Sequence, residues 1–303
     1  MLSRKSKLVL LKLLSLFSIV RGYNILVIII AQYLTSIFIL APDLPLGKVI
    51  FDPNLFVIVI ATAGVIAAGY IINNFYDKEK DLINRPQKTM LDRLVSQQTR
   101  LTGYFILNFL SVILASYVSF KAVMFFAGYV FGIWIYSHKL KKYPIIGNIV
   151  ASLLAITPFF AVFIYYKNFD EVIFVHASFL VLILMIREMT KDLENLKGDL
   201  AQNYKTIPVV YGESTSKHII TTLTLFCGLP IYLLLAYYEV GYMFIYFYVS
   251  IFLLLIFLIG LWKSKGKIQY VWLHNILKFI IVLGAFSIVL IDVHLILDRI
   301  FWV

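Results

Sequence analysis

Nine long apolar segments limit what this chain can fold into. Each is close to the ~20 residues that an α-helix needs to cross the hydrocarbon core of a bilayer. Backbone polar groups in lipid must be satisfied internally, and these segments lack the alternation of barrel strands. The pattern therefore predicts an all-α membrane protein with about nine transmembrane helices, in a single domain over residues 1–303. The segments run over residues 16–40, 54–73, 102–120, 122–137, 146–166, 172–189, 217–237, 242–262 and 271–297.

The charge balance supports the membrane class and predicts an orientation. Charged residues make up only 14% of the chain, whereas a soluble domain carries about 25%. Most of the 27 Lys and Arg residues lie at the N-terminus and in the connections after the second, fourth, sixth and eighth segments. The positive-inside rule places this side in the cytoplasm and the C-terminus outside. The net charge of +11 then reflects topology and contact with anionic membrane lipids, and we expect no nucleic-acid partner.

Two acidic clusters, residues 73–81 and 192–199, follow apolar segments on the predicted cytoplasmic side. In each cluster three oxygen-bearing side chains stand at positions i, i+3 and i+7, which on a helix share one face about 60° wide. The two triads are Asn74, Asp77 and Asp81, and Asp192, Asn195 and Asp199. Two such faces opposed across a cavity would hold hard cations such as Mg²⁺ and, through them, a diphosphate. The alternative is that both clusters are solvated charges at the membrane boundary.

Further motifs accompany the clusters in the same order as in a known family. They are Arg21-Gly-Tyr-Asn24, Asn84-Arg85-Pro86-Gln87-Lys88, the segment from Tyr136-Ser137 to Gly147-Asn148, and Arg187 to Pro208. Together with the two clusters, they resemble the UbiA-type intramembrane prenyltransferases, whose first motif is N-D-x-x-D-x-x-x-D. The stretch 187–212 looks most like the archaeal-type branch that geranylgeranylates geranylgeranylglyceryl phosphate. This resemblance implies helices arranged around a central cavity, here open to the cytoplasmic side.

Two positions depart from the family pattern. Asn74 and Asn195 stand where the family usually has Asp. An amide oxygen can ligate Mg²⁺ but brings no charge, so we expect each change to weaken cation binding. These departures leave open that the protein is catalytically inactive.

The resemblance implies a role for each site residue. Two Mg²⁺ ions bridged by the substrate diphosphate would be bound by Asn74, Asp77, Asp81, Asp192, Asn195 and Asp199. The diphosphate would also contact Asn73, Arg85, Lys88, Lys191 and Lys205. Tyr136 and Ser137 would join the aspartates in the catalytic site, and Arg21 and Asn24 would meet the acceptor. Lys141 and Lys142 are assigned to the topological charge instead.

The expected reaction is Mg²⁺-dependent transfer of a polyprenyl group, geranylgeranyl on the resemblance, from its diphosphate to a prenylglyceryl phosphate, with release of diphosphate. One alternative is an aromatic acceptor such as 4-hydroxybenzoate. Others are an ion-coupled transporter and an inactive binding protein. Carboxylates at helix ends on one side favour an enzyme, because a transporter would place them near the midplane. We expect the plasma or inner membrane of a prokaryote, and no obligate protein partner.

Overall fold

The computed structural model describes residues 4–293, with side chains from Leu10 onwards. The end of the last predicted segment, residues 294–297, and the side chains of Arg4, Lys5 and Lys7 lie outside this description. The described chain is helical and contains no strand. Its α-helices are α1 (Arg4–Ile19), α2 (Gly22–Thr35), α3 (Leu46–Ile50), α4 (Pro53–Tyr76), α5 (Lys78–Asn84), α6 (Pro86–Asp92), α7 (Gln97–Val118), α8 (Phe120–His138), α9 (Ile146–Tyr166), α10 (Glu171–Ala201), α11 (Ile207–Phe226), α12 (Gly228–Tyr237), α13 (Phe244–Lys263) and α14 (Lys267–Ser287).

Nine stretches of the described residues are long and apolar enough to cross a membrane, as the hydropathy pattern predicts. They are Gly22–Leu40, Pro53–Tyr76, Gln97–Val118, Phe120–Lys142, Ile146–Tyr166, Glu171–Ala201, Ile207–Tyr237, Gly241–Lys263 and Lys267–Leu290. A π-helical turn at Ser36–Leu40 extends α2, and α11 and α12 together form the seventh span.

The first predicted segment, residues 16–40, is divided. The helix α1 ends at Ile19, and α2 begins at Gly22. Between them Arg21 adopts a left-handed conformation with φ of 50°, which is uncommon for a residue with a Cβ. The basic N-terminal helix is therefore separate from the first membrane span.

The two acidic clusters also differ from each other in local structure. The second lies inside α10, which continues to Ala201 rather than ending near residue 189. The first is divided, because α4 ends at Tyr76 and Asp77, with φ of −89° and ψ of 4°, separates it from α5. The expected single helix face through Asn74, Asp77 and Asp81 therefore does not form.

The helices pack around two central ones. α4 packs against α2, α7 and α8, and α10 packs against α9, α11 and α14. Each central helix thus brings one acidic cluster to the interior. The contact of α5 with α10 joins the clusters at one end of the bundle.

Candidate active site

One large cavity, with a volume of about 490 Å³, lies between these helices. Charged and amide side chains of both acidic clusters line one part of it. The remainder is mainly apolar and includes Val27, Ile28, Ile66, Leu154, Ile156, Phe159, Leu180, Leu184, Phe247 and Ile281. A cavity of this kind can hold a molecule with an anionic head and a hydrocarbon tail.

Asp77 is the most densely contacted carboxylate of the first cluster. Its Oδ1 lies 2.8 Å from Lys141 Nζ and 3.9 Å from Lys80 Nζ, and it accepts a hydrogen bond of 3.0 Å from the Tyr204 hydroxyl. Lys141 also donates to Asn73 Oδ1 at 3.1 Å. Burial opposes ionisation of Asp77, but the charges of Lys141 and Lys80 outweigh it and lower its pKa to about 2. Asp77 is therefore an anion at neutral pH.

In the second cluster, three residues on one face of α10 have different surroundings. Asp192 accepts a hydrogen bond of 2.7 Å from Asn148 Nδ2 and lines the cavity. Asn195 is buried and lines the cavity, and its Oδ1 has no hydrogen-bond partner among the described residues. Asp199 is fully buried behind the cavity wall, where its Oδ1 lies 3.0 Å from Lys80 Nζ.

Lys80 joins the two clusters. Its ammonium group contacts Asp199 of α10 and Asp77 of the first cluster. Burial opposes the charge on Lys80, but these two carboxylates raise its pKa above the ordinary value. The tip of Lys80 also lies 4.4 Å from the centroid of the Tyr204 ring. Lys80 therefore remains a cation and holds α5 against α10.

The side chain of Asn84 also holds α5 against α10, through two hydrogen bonds to the backbone of α10. Asn84, the last residue of α5, donates to the carbonyl of Asn195 and accepts from the amide of Gly198, both at 3.2 Å. A Cβ at Gly198 would lie 2.3 Å from Asn84 Nδ2, so only glycine permits this approach. The carbonyl of Asn84 in turn accepts a hydrogen bond from Lys267 of α14.

Most of the predicted site residues line this one cavity. They are Arg21, Asn24, Asn73, Asp77, Asp81, Arg85, Tyr136, Ser137, Lys191, Asp192 and Asn195. Four predicted residues do not line it: Asn74, Lys88, Asp199 and Lys205. Asp199 still contacts the site through Lys80, whereas Lys205 is exposed on the connection between α10 and α11.

Asn74 and Lys88 belong to a separate polar cluster. Asn74 donates to Asp92 Oδ2 at 2.8 Å, and its own oxygen accepts from Arg100 at 2.6 Å. Lys88 lies 3.1 Å from the same Asp92 oxygen. Asn74 thus faces α6 and α7 rather than the cavity, so we do not include it in the ligand set proposed below.

Several cavity residues were not among the predicted ones. Lys141, assigned above to topological charge, is buried and paired with Asp77. Its position in the motif segment 136–148 was a signal that could have identified it. Arg187 and Lys191 both pair with Glu188 at 2.8 Å, and all three line the cavity. The further unpredicted cavity residues are Lys80, Asn148 and Lys278. Tyr204, also unpredicted, does not line the cavity but donates a hydrogen bond to Asp77.

Glu194 holds Arg85 by an ion pair, and His274 in turn contacts Glu194. The Arg85 guanidinium lies 2.9 Å from Glu194 Oε1, and the other oxygen of Glu194 lies 3.0 Å from His274 Nδ1 of α14. Glu194 is buried, which limits the positions open to Arg85. Arg85 is thus directed at the cavity from the loop that follows α5.

The donor set fits Mg²⁺ bound together with a diphosphate. Among the described residues, no three His, Cys, Asp or Glu side chains converge into a complete metal site. Mg²⁺ is commonly held by one or two carboxylates, with water and substrate phosphates as its remaining ligands. Asp77, Asp81 and Asp192 supply carboxylates on the cavity wall, and the unpartnered oxygen of Asn195 is a further ligand.

Comparison with known proteins decides the family. The sequence model of the UbiA prenyltransferase family matches residues 33–277. The chain belongs to the UbiA prenyltransferase family. This membership confirms the predicted family and the predicted enzyme class, a prenyltransferase.

Two curated relatives of this chain share the same name. The digeranylgeranylglyceryl phosphate synthase of Methanobrevibacter smithii is 28% identical over 256 residues, which are 80% of this chain and 84% of that protein. The protein of the same name from Thermococcus sibiricus is 36% identical over 151 residues. That match spans 49% of this chain and 53% of the relative, so it covers about half of either protein.

Solved structures of the family share the fold. One described for a digeranylgeranylglyceryl phosphate synthase aligns with a TM-score of 0.69 and 20% identity, over 92% of this chain and 98% of the other. A UbiA homologue from Archaeoglobus fulgidus bound to GPP and Mg²⁺ aligns with a TM-score of 0.67 and 14% identity, over 91% and 99%. Both alignments confirm the predicted all-α membrane fold.

Proposed function

We propose that this UbiA-family protein transfers a geranylgeranyl group from its diphosphate to geranylgeranylglyceryl phosphate and releases diphosphate. The observation that carries this proposal is the cavity, in which two acidic clusters and several cations adjoin a mainly apolar region. The names of the Methanobrevibacter and Thermococcus relatives support the choice of acceptor.

The metal-binding residues in this proposal are Asp77, Asp81, Asp192 and Asn195, which would hold two Mg²⁺ ions through the diphosphate. Asp199 acts indirectly, because it fixes Lys80 beside the diphosphate end of the cavity. Bound Mg²⁺ would neutralise charge on the leaving group. The Mg²⁺ and GPP bound in the Archaeoglobus structure support Mg²⁺ as the ion and a prenyl diphosphate as its partner.

In the reaction, the bond between the allylic carbon and the diphosphate oxygen breaks, and its electron pair stays on the diphosphate. Arg85, Lys141 and Lys191 line the charged part of the cavity and stabilise that developing charge. The hydroxyl oxygen of the acceptor bonds to the allylic carbon, and its proton passes to the released diphosphate. The apolar wall excludes water, which would otherwise consume the allylic cation.

We further propose that the charged end of the cavity faces the cytoplasm of a prokaryotic cell, with the C-terminus outside. The support is the distribution of Lys and Arg along the sequence. Polyprenyl diphosphate would then reach the site from the cytoplasmic side.

Product mass spectrometry tests the proposed reaction. Purified protein in lipid would be incubated with geranylgeranyl diphosphate, Mg²⁺, and either geranylgeranylglyceryl phosphate or 4-hydroxybenzoate. We expect a prenylated glyceryl phosphate whose formation stops when EDTA is added. Formation of prenylated hydroxybenzoate alone would contradict the proposed acceptor, geranylgeranylglyceryl phosphate. Binding of geranylgeranyl diphosphate without any product would favour an inactive binding protein.

A further inference from the structure

A lysine lies inside the apolar ninth span. Lys278 of α14 is about 16 Å along the helix axis from Lys267, at 1.5 Å per residue. Its neighbours in sequence are Leu277 and Phe279, and the most apolar 18 residues of this span have a mean hydropathy of 2.1. A charged side chain in such a segment is costly and usually marks a functional position. The positive charge at residue 278 therefore needs an explanation.

Lys278 lines the cavity and lies beside the start of α2. Its Nζ is 4.2 Å from the centroid of the Tyr23 ring. The Arg21 guanidinium also lines the cavity and lies 5.1 Å from the centroid of the Tyr70 ring. Lys278 and Arg21 therefore come from two helical segments and lie against aromatic rings on the cavity wall.

These cations are not neutralised by nearby acids. Among the side chains that the structure describes, no carboxylate forms an ion pair with Lys278 or Arg21. The region around Tyr23 thus has an excess of positive charge within a wall of low polarity.

This region differs chemically from the end of the cavity that contains Asp77 and Asp192. At that end, lysines lie next to the carboxylates, so carboxylates are available for metal ions and cations for a diphosphate. By contrast, Lys278 and Arg21 have no ion pair with any carboxylate among the described side chains. Ammonium and guanidinium groups of this kind bind a phosphate directly, through charge-assisted hydrogen bonds.

We propose that Lys278, together with Arg21 and Tyr23, forms a second anion subsite that binds the phosphate of the lipid acceptor. This inference rests on the proposed function for the identity of the acceptor, and it adds Lys278 and Tyr23 as residues that select a phosphorylated one. The left-handed conformation of Arg21, between α1 and α2, places its side chain on the cavity wall.

Binding without turnover tests the subsite separately from the reaction. Protein in phosphatidylcholine nanodiscs, without prenyl diphosphate, would be titrated with geranylgeranylglyceryl phosphate and with geranylgeranylglycerol, which lacks the phosphate. We expect the wild type to prefer the phosphate at least about tenfold, as one charge-assisted contact provides. Lys278→Gln should lose most of this preference, whereas Lys278→Arg should keep it. Lys121→Gln, an exposed lysine at the start of α8, is the matched control.

Kinetics then separate acceptor binding from the chemical step. Lys278→Gln should raise KM for the acceptor at least about tenfold, with KM for geranylgeranyl diphosphate unchanged. An unchanged phosphate preference in Lys278→Gln would overturn the subsite. Equal competition by dioleoyl phosphatidic acid would also overturn it, since Lys278 would then anchor any lipid headgroup. If the wild type forms no product yet binds the phosphate through Lys278, the proposed reaction fails and the subsite stands.

Discussion

At the residue scale, the two asparagines that replace aspartates of the family pattern have different roles. Asn195 lines the cavity with an unpartnered oxygen, whereas Asn74 is bonded to Asp92 and Arg100 outside it. The sequence suggested that both weaken cation binding. With Asn74 turned away from the cavity, we now expect only Asn195 to affect the metal.

Restoring the family residue at each position tests this difference. Asn195→Asp adds a charged ligand and should lower the Mg²⁺ concentration for half-maximal turnover by about tenfold, equivalent to about 1.4 kcal/mol. Asn74→Asp should leave that concentration unchanged and serves as the control. The measurement is a Mg²⁺ titration of turnover in lipid. An equal response of both variants would contradict the placement of Asn74.

Lys141 illustrates what sequence reasoning could and could not predict about the site. Basic residues near the end of a membrane helix usually set its orientation, so the sequence analysis assigned that role to Lys141 and Lys142. Only the fold shows that Lys141 is buried and 2.8 Å from Asp77. The aspartates could be predicted, because their spacing and motif are specific. The cations that neutralise them come from several helices, and a local pattern does not show which of them converge.

At the scale of the elements, apolar runs predicted the membrane helices well because length and hydropathy decide whether a helix spans. The short helices between spans were not predicted. Asp77, at the break between α4 and α5, contacts Lys141 after α8 and Tyr204 after α10, which are remote from it in sequence. A regular helical face was therefore the wrong expectation for the first cluster.

The contact between α5 and α10 gives a prediction at this scale. Gly198→Ala places a Cβ 2.3 Å from Asn84 Nδ2, so the Asn84 side chain must move and its hydrogen bonds to α10 are disturbed. We expect a loss of about 1–3 kcal/mol of stability, typical of overpacking, and lower turnover. Thermal unfolding and product formation in lipid measure both. Gly128→Ala in α8 is the control, since no atom lies within 4 Å of a Cβ there. Wild-type behaviour of Gly198→Ala would show that this contact does not support the site.

At the scale of the whole molecule, two groups of helices each bring one acidic cluster to a shared cavity. Hydropathy could predict the number of spans, and the matching clusters suggested that they face each other. The cavity itself, with its charged and apolar parts, depends on how the helices pack and could not be obtained from the sequence. The cytoplasmic orientation stays a prediction from the positive-inside rule.

The central claim is that both clusters act on one diphosphate. A double-mutant cycle of Asp77→Asn and Asp192→Asn, with Glu79→Gln as an exposed control from the first cluster, tests it most directly. The readout is turnover of geranylgeranyl diphosphate in lipid. We predict that each single change lowers kcat/KM by at least about 100-fold, and that the double variant is little worse, because residues that act as a unit are non-additive. Fully additive losses, or near-normal activity in either single variant, would contradict the claim.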